Sequence, residues 1–252
     1  MPRAFGLASL LAPALFAAAC ATVGPPVPTA GVATDASAAW ERVLDQHVTD
    51  DGRIDFVGLR AGPRDLEAYV AWAAVNGPRS TPERFATPDS RLAYWLNTYN
   101  AVAMYLVVST RLRPENLVRF FILTRIQIDG EATSLYALEN GVIRPFGDPR
   151  IHFALNCMAR GCPRLPRAPF TVAGLPVELE RETRRFLADP RNVQIDPPLR
   201  TVRFNSILRF YTEDFLPAAP SLAAYANRYR DEKIPEDYRV RFIPYDWTLN
   251  QK

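Results

Sequence analysis

The chain has only two histidines in its 252 residues, His47 and His152, and only three cysteines, Cys20, Cys157 and Cys162. So few ligands leave a metal site poorly supported, and Cys-x4-Cys would need further ligands to hold zinc. No cofactor is expected. Net charge is also scarce: the formal value is +3. Removing residues 1–19 takes away Arg3 and no acid, which leaves +2. A nucleic-acid partner would need a concentrated basic footprint, so none is expected. The arginines of residues 181–185 alternate with glutamate and read as a solvated helix face. There is no internal repeat, and no second linker is long enough to separate the chain into more than one domain. The apolar run at residues 5–16 is shorter than the about 20 residues that span a bilayer.

What is present begins at the N-terminus. Arg3 precedes that apolar run, and Ala17, Ala18 and Ala19 lead into Cys20. This is the three-segment layout of a secretory signal, and the cysteine after small residues resembles a bacterial lipobox. Cleavage before Cys20 would leave its thiol to carry lipid. Ala21 follows, with no Asp to suggest inner-membrane retention, so the expected place is the periplasm, anchored to the outer membrane. Disulfides persist in that compartment. Residues 20–37 are rich in Pro, Ala and Gly and read as a semi-extended tether. Residues 38–252 suffice for one sizeable domain. Proline, at 23, is about twice the usual share, so many loops are expected.

Hydrophobic spacing predicts helices at residues 38–49 and 66–75 and a short strand at 54–57. Thr87 and Pro88 open the strongest helix, which runs to about Ser109, with Thr87 as cap and Pro88 at the first position. It is apolar nearly all round and therefore central. Asn97 and Asn100 share one face of it and must find partners. A second helix is predicted at 134–142. Residues 151–157 alternate as a strand, with Ile151, Phe153, Leu155 and Cys157 on one face and His152, Ala154 and Asn156 on the other. A helix at 176–187, a hairpin around residues 196–200, short helices at 205–215 and 221–229, and a strand at 239–243 complete the chain. The fold class is α+β: one domain, a central buried helix and a small, mainly antiparallel sheet.

Five motifs occur in order: Trp95-Leu96-Asn97-x-Tyr99-Asn100; Ser134-Leu135 with Glu139; Ile143-Arg144; residues 151–157 with Cys162-Pro163; and Tyr245-Asp246-Trp247-x-Leu249-Asn250. Together they resemble the domain-of-unknown-function family 547 of bacteria and plants, over residues 54–250. The chain looks like a bacterial envelope lipoprotein member. Many relatives carry His where this chain has Asn140, and often Trp where it has Phe210. The resemblance implies an α+β domain related to papain-like hydrolases and no settled activity. Plant relatives keep the first central cysteine and lack the second, so a disulfide is not a general need of the family.

Two chemistries stay open. A Cys157–His152 dyad would make a cysteine hydrolase, but five residues of strand cover about 16 Å and put the side chains on opposite faces. An oxidised Cys157–Cys162 pair would also leave no thiolate. Alternatively, His152 pairs with Glu139 as an oriented acid and base, with Asn97 or Asn100 polarising a carbonyl. The first function class is thus a hydrolase of amide or peptide bonds in the envelope. The second is a non-catalytic lipoprotein that binds a peptide, glycan or protein there, held to the membrane by its lipid anchor.

Overall fold

The computed structural model describes residues 22–24, 26 and 35–252. The signal segment, Cys20 and most of the tether lie outside them. Thr22–Val23 forms strand β1. Helix α1, Ser37–His47, buries Trp40, Val43 and Leu44, the apolar stripe of its sequence. The predicted strand at 54–57 is instead a single bridge at Ile54 followed by helix α2, Phe56–Ala61. Asp55 is the reason: its side chain accepts the Gly58 N–H, so the chain turns into a capped helix. Helix α3 is Arg64–Val75.

Helix α4, Pro88–Thr110, begins at a reciprocal Thr87–Ser90 capping box. Every residue from Leu92 to Val107 is buried, so every face of its middle turns meets protein. Among the described residues no helix is long and apolar enough to cross a membrane. A π-helical turn, Val118–Leu123, leads to strands β2, Arg125–Ile128, and β3, Glu131–Thr133. Helix α5, Leu135–Leu138, is capped by Ser134 and widens into a second π-helical turn, Glu139–Ile143.

Residues 151–157 do not form the predicted strand. Pro149–Phe153 is a 3-10 helix, and Asp148 caps it by accepting the Arg150 N–H. Helix α6, Leu175–Ala188, packs against it. The face at 181–185 is only half solvated. Its arginines are exposed, but Glu182 and Thr183 are buried. Glu182 accepts from Arg164, Arg181 and Arg185. Strands β4, Val193–Asp196, and β5, Thr201–Asn205, make the predicted hairpin. Helices α7, Ile207–Phe210, α8, Thr212–Phe215, and α9, Leu222–Asn227, precede strand β6, Arg239–Ile243.

The fold is α+β, and the strands of the described residues are divided between two small mixed sheets rather than gathered in one mainly antiparallel sheet. Among the described residues β2 pairs parallel with β1 and antiparallel with β3, and β5 pairs antiparallel with β4 and parallel with β6. Two apolar clusters result. One holds α1–α4 with Ile126 and Leu135; the other holds Phe186, Val202, Phe204, Phe215 and Tyr225. The Pro149–Phe153 turn joins them, because Ile151 enters the first and Phe153 the second. His152 sits between them.

Candidate functional site

The loop after this turn is fixed by two asparagines. From α4, Asn100 donates to the Ala154 carbonyl at 3.0 Å and accepts the Asn156 N–H at 2.7 Å. Asn156 in turn donates to the Pro163 carbonyl and accepts from Met158 N–H, at 2.6 and 2.8 Å. Both amides are buried and engaged with backbone. Met158 takes the left-handed conformation, with φ of 66°. Gly161 serves close approach instead. Its N–H donates to the Asp246 carbonyl at 2.8 Å, and a Cβ there would lie 3.0 Å from Asp246 backbone. Cys157 and Cys162 close this loop as a disulfide, with Cα atoms 6.1 Å apart.

Asn97 works elsewhere. It accepts from the Trp40 indole and the Phe170 N–H and donates to the Phe170 carbonyl. It joins α1, α4 and the loop before α6, and its hydrogen bonds reach neither His152 nor Glu139.

Glu139 and His152 do face one cleft, but they are not partners. Glu139 accepts from the Tyr99 hydroxyl at 3.1 Å and from the Tyr211 hydroxyl. Burial raises its carboxyl above the usual range, against the opposing pull of the Tyr211 and Tyr99 hydrogen bonds. His152 Nε2 lies 2.7 Å from Asp214 Oδ2. Burial lowers its imidazole to about 4, although the Asp214 hydrogen bond resists that fall. The ring is therefore neutral at pH 7. A carboxylate only accepts, so Nε2 carries the proton. The His152 side chain is 1 % exposed and stacks on Tyr211 with centroids 3.9 Å apart.

Asp214 is shared. Arg144 grips it with Nε at 2.7 Å and Nη2 at 2.8 Å, a bidentate fork. Burial would push the Asp214 carboxyl up, yet Arg144 and then His152 hold it below the ordinary range. Arg144 also donates to Asn140 and Glu213. In the sequence, Arg144, Tyr99 and Tyr245 stand only inside motifs, without a role. Asp214 and Tyr211 carry no signal beyond an acidic pair after two aromatics. Nothing in 62 residues of separation ties Asp214 to His152.

The cleft encloses about 460 Å³. Glu139, His152, Tyr245 and the disulfide line it, and its rim carries exposed Leu117, Val118, Ile122, Tyr136 and Phe210. Tyr245, Trp247 and Phe210 form one aromatic wall. A second cleft of about 530 Å³ lies on the other side of Cys162 and Pro163. Several of its charges pair among themselves, as in Arg164–Glu182 and Arg191–Asp189. Among the described residues no group of His, Cys, Asp and Glu is arranged to hold a metal ion.

No curated protein and no solved structure matches the chain. Residues 83–187, from the approach to α4 through the disulfide loop to the end of α6, match the family model described as a protein of unknown function, DUF547. That stretch, which supplies Glu139, Arg144, His152 and both sulfurs of the cleft, is the part of the chain that matches the DUF547 family.

Proposed function

We propose that this domain is a binding module of the bacterial envelope, tethered through lipidated Cys20, whose cleft takes an apolar peptide segment. The observation that carries this reading is the contrast between rim and floor. Five large apolar side chains stand exposed around the mouth. The polar groups beneath them are engaged with each other: Glu139 with two phenols, His152 with Asp214, and Arg144 with Asp214, Glu213 and Asn140. An apolar rim gains free energy by covering itself, and satisfied floor groups gain little from reacting. The volume falls within the range of about 300–1,000 Å³ usual for ligand sites. Asn140 and Tyr245 interrupt the apolar lining, which suits the amides of a peptide better than a hydrocarbon chain.

The hydrolase reading fits less well. It needs a thiolate at Cys157, and that sulfur is bonded to Cys162. It needs His152 beside Glu139, and each has another partner.

Trp247 reports on the cleft, being half-buried where Trp40, Trp72 and Trp95 are buried. A blocked hexapeptide of leucine, phenylalanine and serine should change its fluorescence saturably, and Phe210→Ala should weaken that binding. Absence of saturation with the peptide, or saturation only with a fatty acid, would overturn the peptide reading.

A further inference from the structure

The disulfide is an odd staple. It closes a loop of only four intervening residues, and cross-links over short loops remove the least entropy from the unfolded chain. The same loop is already held by Asn100, by Asn156 and by the Gly161–Asp246 hydrogen bond. Both cysteines are only half-buried, and both line the apolar cleft rather than a sealed core.

The donors around the two sulfurs are unequal. Cys162 Sγ receives the Cys157 backbone N–H at 3.0 Å and the Tyr245 hydroxyl at 3.3 Å. Among the described residues Cys157 Sγ has only that same hydroxyl, also at 3.3 Å. Hydrogen bonds to sulfur stabilise a developing thiolate, so Cys162 is the better leaving group.

We infer that Cys157–Cys162 is a thiol–disulfide exchange centre that acts on a cysteine carried by the apolar peptide in the cleft. The inference rests on the peptide-binding reading and gives it a substrate class. The ligand thiol first loses its proton to solvent. Its thiolate attacks Cys157 Sγ, and a mixed disulfide forms between them. The Cys157–Cys162 bond breaks, and its electron pair leaves on Cys162 Sγ beneath its two donors. A second ligand thiol, also deprotonated by solvent, then attacks the ligand sulfur of the mixed disulfide and expels Cys157 as a thiolate, and the two protein thiolates take the two protons back from solvent. Two ligand thiols are oxidised to one disulfide, and one protein disulfide is reduced to two thiols. This single turnover uses no other oxidant.

The test uses the purified full chain in its oxidised form. One probe is a blocked hexapeptide of leucine and phenylalanine with one central cysteine; the other is reduced glutathione. Acid quench, alkylation and mass spectrometry follow the adducts. The peptide should join Cys157 and should react about tenfold or more faster than glutathione at equal thiolate concentration, because the cleft holds it beside the sulfur. Phe210→Ala should slow the peptide alone, whereas Tyr245→Phe should slow both thiols. Equal rates for the two probes, adducts on Cys162, or no reduction of the bridge would each overturn the assignment. A serine analogue of the peptide, titrated through Trp247, separates the two ideas. If the analogue binds and the cysteine peptide does not exchange, only the exchange centre falls. If the analogue does not bind, the exchange centre falls together with the cleft reading.

Discussion

Replacing His152 by Ala removes two things at once. The first is the hydrogen bond from Nε2 to ionised Asp214, at 2.7 Å. Bonds to charged groups contribute about 1.5–3 kcal/mol. Asp214 keeps its bidentate Arg144 and is 24 % exposed, so it is not stranded and the lower end applies. The second is a buried ring stacked on Tyr211 and tilted against Phe215. Large-to-small changes in cores cost about 2–5 kcal/mol, and imidazole is small and polar enough for the lower end. The terms overlap, so the expected loss is about 3 kcal/mol. Urea unfolding with the disulfide intact measures it. A loss below about 0.5 kcal/mol, the range of ordinary surface changes, would refute a structural role for the ring. The pH dependence gives a second, independent arm. The folded imidazole titrates near 4 and the unfolded one near 6.5, so the folded state binds fewer protons between those values. The His152 contribution is therefore full above 6.5 and falls as pH drops towards 4, by roughly 3 kcal/mol at most. His152→Phe keeps an aromatic ring and cannot titrate. The wild type should lose stability relative to it across that window, and a pH-independent gap between the two proteins would refute the titration of a buried imidazole.

Glu139 and Cys20 carry the remaining expectations. Glu139 has its carboxyl raised, so the folded state binds more protons than the unfolded one above 4.5, and its contribution is lost as pH rises through the folded value. Glu139→Gln keeps an acceptor for Tyr99 and Tyr211 and should flatten that decline in thermal melts at increasing pH; an unchanged decline would place its source elsewhere. Cys20→Ser should move the protein from the membrane fraction to the soluble fraction after cell lysis, and unchanged partition would remove the lipid anchor from the proposal.

Local signals in this chain announce elements whose caps and periods agree. Thr87, Pro88 and an unbroken apolar stretch fix α4, and paired strand runs around a proline turn fix the β4–β5 hairpin. Segment 151–157 misleads because its alternation satisfies a strand pattern, while Asp148 and Pro149 just before it already carry the cap and first-turn proline of a helix. The same holds at Asp55, where a capping side chain outweighs four strand-like residues. Within the site, His152 and Glu139 are legible as rare or buried polar groups, and the structure brings both to one cleft. Their true partners are not legible. Tyr99 comes from α4, but Asp214 and Tyr211 come from elements far along the chain, and the packing of the second apolar cluster onto the first brings them to the cleft residues.

That distance has a consequence for synthesis. Residues 245–252 return to the earlier chain: Leu249 bridges Ala159, the Asn250 carbonyl accepts the Ile54 N–H, and the Lys252 N–H donates to the Ile54 carbonyl. Tyr245 and Trp247, one wall of the cleft, belong to the same late segment. Chains emerge from their N-terminal side, so helices α1–α4 can collapse long before this segment is available. The cleft is thus completed last, because one of its walls is made only by these late residues.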